Sequence, residues 1–155
     1  MRVALAVGVG IVLAVAGCAQ PKRLSDGLTF RAPDGWTEMH ATGDPNVELW
    51  QPAEKSRRGI LSLDRDLPAF DAAIVVKSLV DNHGRLLAQR RMVLCGNQPS
   101  EYSRVVQRAR TGTYTWEIVT SRTPSALWEA QYMYPAGSLP DAKARAALYE
   151  LCPAR

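Results

Sequence analysis

Residues Ser100–Tyr134 read SEYSRVVQRARTGTYTWEIVTSRTPSALWEAQYMY. Three strand-like runs, Ser100–Arg110, Tyr114–Arg122 and Leu127–Tyr134, are joined by short loops at Thr111-Gly112-Thr113 and Thr123-Pro124-Ser125. Loops this short favour strands that return antiparallel beside their predecessors. The stretch predicts an antiparallel meander, and the flanking segments must fit that sheet.

Upstream, Leu86–Cys95 reads as a further strand, separated from the meander by the breaker Gly96-Asn97-Gln98-Pro99. Leu28–Ala32, Val47–Gln51 and Ile60–Asp66 read as short strands. Pro33-Asp34-Gly35 is a turn signal after which Trp36 returns toward the core, and Pro52–Gly59 is a polar basic loop. Pro68–Asn82 predicts a helix: Phe70, Ala73, Ile74, Lys77 and Val80 recur near helical spacing, and Asp71 suits the first turn. Asn82-His83-Gly84 closes it, with Gly84 suited to the residue beyond the cap. Downstream, Ser138-Leu139-Pro140-Asp141 opens a second helix, with Ser138 as N-cap and Asp141 at capping-box spacing. Ala144, Ala147, Leu148 and Leu151 form its apolar stripe, and Cys152 ends it. The order of three strands, helix, four strands and helix is α+β by class, an antiparallel sheet with helices packed on it.

The amino-terminal end carries a different message. Arg2 precedes Val3–Ala16, which holds only Val, Ala, Leu, Ile and Gly, and the run closes on Val15-Ala16-Gly17-Cys18. A charged start, an apolar stretch and small residues at its end make a secretory signal. A membrane-spanning helix needs roughly 20 apolar residues, and Gln20, Pro21, Lys22 and Arg23 follow almost at once, so a transmembrane anchor is the weaker reading. Val15-Ala16-Gly17-Cys18 resembles the bacterial lipobox. The resemblance implies cleavage before Cys18, a diacylglycerol thioether on its sulfur and a palmitate-type chain on the new amino end, since stable anchoring takes more than one acyl chain. It also implies a bacterial cell-envelope location facing the periplasm or exterior, with Ala19 favouring an outer membrane if the cell has one. An ordinary secretory signal, with Cys18 incidental, is the alternative. The organisation that follows is a signal peptide at 1–17, a lipidated tether at 18–27 and a single domain at 28–155. Extended, Ala19–Gly27 reaches at most about 30 Å.

With Cys18 assigned to lipid, Cys95 and Cys152 remain as a pair in an oxidising compartment. A disulfide is expected, with buried free thiols as the alternative; the bond contributes about 4 kcal/mol in the chain-entropy model. Two cysteines without a nearby histidine leave a tetrahedral zinc short of ligands. Lys and Arg total 19 against 15 Asp and Glu. That excess is too mild to argue for nucleic acid, although weak attraction to anionic lipid or wall polymer is open.

Several pieces together resemble a known fold: F-x-x-P-x-G-W at Phe30–Trp36, the Asp71-Ala72-Ala73 helix, C-G-N-Q-P-S-E-Y at Cys95–Tyr102, and the terminal helix from Asp141. They are similar to the fold shared by the photosystem PsbP domain, a Ran-binding import factor and small bacterial lipoproteins of the LpqN type. The resemblance spans most of 28–152 and implies a six- or seven-stranded antiparallel sheet sandwiched by helices. It implies no shared partner, because members of one fold bind unrelated things.

No residue set carries a catalytic signature. His40 lies in a loop and His83 at a helix end, and the chain has no G-x-S-x-G elbow. Asp64 and Asp66 would share a strand face, but Arg65 between them and the loop beyond favour a solvated strand end. Lys55, Arg57 and Arg58 read as a solvated basic loop. The more informative set is basic and aromatic. Arg104, Val106, Arg108 and Arg110 share one strand parity, Tyr114, Trp116 and Ile118 share one on the next strand, and Arg90 and Met92 on another. If those faces coincide, Arg90, Arg104, Arg108 and Trp116 form a patch for an anionic head group, a glycan or a peptide. If they do not, the arginine stems cover the sheet and the aromatics fill the core. The expected function is a non-enzymatic, membrane-anchored envelope module that binds or scaffolds, without cofactor, partnered by an envelope protein, anionic lipid or glycan; a hydrolase of wall or lipid material is the alternative.

Overall fold

The computed structural model describes residues 21–24, 27–39, 43–54 and 58–153. The signal segment, Cys18, His40, Lys55 and Arg57 lie outside the described residues. The elements are β1 (Lys22–Arg23), β2 (Leu28–Phe30), β3 (Trp36–Met39), β4 (Val47–Pro52), β5 (Ile60–Asp66), α1 (Ala72–Asp81), β6 (Gly84–Leu94), β7 (Gln98–Ala109), β8 (Gly112–Arg122), β9 (Leu127–Pro135), α2 (Ala142–Ala147) and β10 (Cys152–Pro153). Seven strands form one antiparallel sheet in the order β3-β4-β5-β9-β8-β7-β6, and a small sheet has the order β1-β2-β10.

The meander β7-β8-β9 lies in the middle of the large sheet, as its short loops require. Neighbouring residues on a strand point to opposite faces, so Ile118 and Val119 separate two cores. Ile118 and Val105 pack with Val76 of α1, supported by Val75, Leu79 and Trp116. Val119 belongs to the larger cluster, with Trp50, Leu61, Leu63, Ala130 and Tyr132 from the sheet and Ala144, Ala147 and Leu148 of α2. Leu28 and Phe30 of the small sheet complete that cluster. One helix therefore lies on each face, but they are only ten and six residues long. The structure is a sheet-dominated fold, a seven-stranded antiparallel sheet with two short helices, and the small sheet shares with α2 the covering of one face.

Several expectations are corrected. The turn signal Pro33-Asp34-Gly35 does not join neighbouring strands: Phe30 and Trp36 stand in different sheets, so the turn carries the chain from one layer to the other. Residues 22–24, expected in the tether, are part of the fold: Lys22 and Arg23 pair with β2, and Leu24 is 6% exposed. The first helix starts at Ala72, not Pro68, because Asp71 caps it by accepting a hydrogen bond from the Ala73 amide. Its core-facing stripe is the buried Val76 with the partly buried Val75 and Leu79, while Ile74 and Val80 are exposed. His83, not Gly84, takes the left-handed conformation after α1 (φ 65°). Gly84 is required for another reason, since a Cβ there would lie 2.3 Å from the Leu79 carbonyl oxygen.

The second helix is capped by Asp141, which accepts from the Lys143 and Ala144 amides, while Ser138 donates to the Pro135 carbonyl instead. All four residues of its predicted stripe are buried, but the helix is shorter than expected: it holds Ala144 and Ala147, Leu148 caps it, Leu151 lies beyond it, and Cys152 stands in β10 rather than ending it. Cys95 and Cys152 form a disulfide with Cα atoms 5.6 Å apart. The bond ties β10 to the tight turn between β6 and β7, where Cys95 and Gly96 both have positive φ and the Asn97 amide donates to the Leu94 carbonyl.

Candidate functional site

Strand register decides which side chains meet. Arg104 stands opposite Glu117, Arg108 opposite Thr113 and Arg90 opposite Tyr102, so all three arginines share the face that carries α2. Trp116 stands opposite Val105 and belongs to the α1 face, where it packs beside the small core. The structure thus brings Arg90, Arg104 and Arg108 to one surface and places Trp116 on the other.

Tyrosine supplies the aromatic partner that tryptophan does not. The Arg90 guanidinium lies 4.9 Å from the Tyr102 ring centroid, a cation–π distance, and Tyr102 stacks on Tyr149 at 6.4 Å. At the centre is Glu117, 1% exposed. Its Oε1 accepts from the Tyr134 hydroxyl at 2.9 Å and its Oε2 from Arg145 Nε of α2 at 3.0 Å. Burial, with the Glu117 carboxylate beside it, pushes the Tyr102 hydroxyl up to about 12. Burial and the bond to Glu117 raise Tyr134 further, so both phenols stay neutral donors. Both Glu117 oxygens are thereby engaged. Arg104, directly across the strand pair, is half-buried with its Nε lacking any hydrogen-bond partner. Buried donors are nearly always satisfied. Arg90, Arg104 and Arg108 therefore offer guanidinium groups that Glu117 does not neutralise.

The α1 face carries a different set. A single row of cross-strand partners runs Arg91, Glu101, Thr120, Glu129, Asp64, Val47 from β6 to β4. Glu129 is 0% exposed. Gln131 Nε2 donates to Asp64 Oδ2 at 2.6 Å and to Glu129 Oε2 at 3.2 Å, and Ser62 Oγ donates to Asp64 Oδ2 at 3.3 Å. Glu129 Oε1 has no partner. Burial, then the nearby carboxyls of Asp66 and Asp64, pushes Glu129 up to about 8. Burial raises Asp64 to about 6, against the lowering effect of the Ser62 hydroxyl. Asp64 and Asp66 were expected at a solvated strand end; they share a face as expected, but Asp64 is half-buried beneath the polar seam. Glu129 was missed because a lone acid in WEAQYMY looks like a solvent-side residue. The available signal was its position in the third run of the meander, where a central strand is covered on both faces.

Beside this seam a groove of about 490 Å³ is lined by Arg91, Val93, Glu101, Thr120, Arg122 and Leu127 among others. Arg122 Nη2 donates to the Phe70 carbonyl at 2.6 Å, and Gln89 Nε2 to Glu101 Oε1 at 2.5 Å, so both groups at its rim are engaged. His83 is exposed at the end of α1. Among the described residues no three His, Cys, Asp or Glu side chains are grouped to hold a metal ion, and no helix is long and apolar enough to cross a membrane.

No protein-family model and no curated protein matches this chain. Solved structures do. A Bacteroides thetaiotaomicron protein superposes with a TM-score of 0.57 at 14% identity, over 90% of this chain and 49% of its own. This chain thus spans about half the length of that protein. A Pseudomonas aeruginosa protein of unknown function, a putative regulator, superposes with a TM-score of 0.50 at 16% identity, over 80% of this chain and 88% of its own. Identities this low establish a shared fold and nothing about activity.

Proposed function

We propose that this chain is a lipid-anchored module of the bacterial cell envelope that binds an anionic group without catalysing a reaction. Cys18 carries the lipid and residues 1–17 are removed. The lipobox-like Val15-Ala16-Gly17-Cys18 supports this, and so does the Cys95–Cys152 disulfide, a bond expected of a chain exported to an oxidising compartment. A PsbP-like fold is the finer reading of the architecture, supported by the antiparallel seven-stranded sheet with a short helix on each face.

The observation that carries the binding reading is that Arg90, Arg104 and Arg108 share one face, with Arg90 and Arg108 exposed, beside a Glu117 whose oxygens are already occupied. A phosphate or carboxylate would be held by the exposed guanidinium groups of this face, which suit both geometrically. An enzyme reading has less support. Glu129, the carboxyl with the most displaced proton affinity among the described residues, is 0% exposed and out of a substrate's reach.

Two measurements test the proposal. Intact mass of the membrane-extracted chain should show cleavage after Gly17 and a diacylglyceryl Cys18; a bare sulfur removes the anchor. Titration of the detergent-solubilised full chain with glycerol phosphate and with a uronic-acid oligosaccharide should show saturable binding to at least one. Arg104→Gln should weaken it at least tenfold, and Trp116→Phe, on the other face, should leave it unchanged. Equal binding by Arg104→Gln would place the ligand elsewhere.

A further inference from the structure

The point where the chain enters the fold limits how the domain can sit on a membrane. β1 runs antiparallel to β2 with Lys22 opposite Phe30, so the chain arrives at Pro21 beside Arg31. Leu24 is buried in the main core and Lys22 pairs with Glu48 at 2.5 Å, which fixes this entry strand to the domain. Only Ala19 and Gln20 separate Cys18 from Pro21, a link of at most about 11 Å. Packed layers are about 10 Å apart. From the small sheet to the α1 layer is two such steps, more than the link can span.

The surface next to the entry point has a composition of its own. Arg31 lines a shallow groove with Pro33, Lys143, Ala146, Ala147 and Glu150. Lys143 also lines a larger one, of about 650 Å³, with Arg58, Ser138 and Leu139. Leu139 is 95% exposed, more than any other large apolar side chain among the described residues. A protruding leucine between an arginine and a lysine suits a bilayer interface, where the alkyl group enters the acyl boundary and the cations stay among phosphates. The acids on this surface, Asp34, Asp141 and Glu150, offset much of that charge, and Asp141 is turned into the cap of α2. The contact therefore depends on Leu139 more than on net charge. One leucine is too weak to recruit a protein, but a short tether makes its insertion intramolecular.

We propose that the outer surface of α2, from Arg31 across Lys143 to Leu139 and Arg58, lies against the phospholipid bilayer that holds Cys18. This rests on the lipid-anchor reading above. The α1 face, with its groove and carboxyl seam, then points away from the membrane.

Methyl-labelled, lipidated full-length protein in nanodiscs containing spin-labelled phospholipid tests it. Leu139 methyl signals, assigned with Leu139→Ser, should broaden at least fivefold more than those of Val93, which is 61% exposed on the opposite face. Equal broadening, or broadening confined to Val93, overturns the orientation. Mass measured on the same sample separates the two failures: with the diacylglycerol present, an unaffected Leu139 refutes only this contact; with it absent, the anchor reading falls and the contact with it.

Discussion

Glu129 shows how position in a sheet can override the usual preference of a charged side chain. It is placed in the interior by the central location of β9, and one of its oxygens has no hydrogen-bond partner. Isolation from water and from any cation favours the protonated form, and neighbouring Asp66 and Asp64 add to that preference. The folded state therefore binds protons at Glu129 and Asp64 more tightly than the unfolded chain does. For acids displaced upward, the associated stability is fully present below the unfolded values, near 4, and is lost as pH rises through the folded ones, about 6 and about 8. Thermal melts should accordingly show a falling midpoint between pH 5 and 8. Each unit of displacement corresponds to about 1.4 kcal/mol, so Glu129→Gln should flatten that fall and raise the midpoint at pH 8. A mutant with the wild-type slope would show that another group governs the pH response.

At the scale of elements, legibility followed length and regularity. The meander could be read because its runs are long and its loops short, and the α2 stripe because every position in it is covered. The two-residue strands β1 and β10 could not be, since two residues hold no alternation. Without them the small sheet was invisible, and Lys22–Leu24 resembled a polar tether. Trp116 was grouped with arginines because parity within a strand says nothing about its phase relative to the next; that phase is set by the turn at Arg110-Thr111, where Ala109 meets Gly112. The cap of α2 was misplaced by a related ambiguity, since Ser138 and Asp141 both suit the role. The structure assigns it to Asp141. Asp141→Ala should cost about 1 kcal/mol, while Ser138→Ala should stay within about 0.5 kcal/mol, as measured by urea unfolding. The reverse ranking would return the cap to Ser138.

For the whole molecule, the disulfide is the covalent cross-link between the turn that precedes the strand meander and the carboxyl-terminal segment. Its closing positions are 57 residues apart, and such a loop is worth about 2–4 kcal/mol in practice. Cys95→Ser with Cys152→Ser should lower the unfolding free energy obtained from urea titration by that amount, and added reductant should reproduce the loss in the wild type but not in the double variant. The small sheet has a further consequence. It seats β2 between β1, near the start of the polypeptide, and β10, near its finish. The chain is synthesised amino end first, so β2 is made long before β10, one of its two neighbours. Leu28 and Phe30 must wait for the tail to be delivered before their layer is finished. Completion therefore comes only at the end of synthesis, and an unfinished molecule presents sticky apolar surface that chaperones or proteases would recognise.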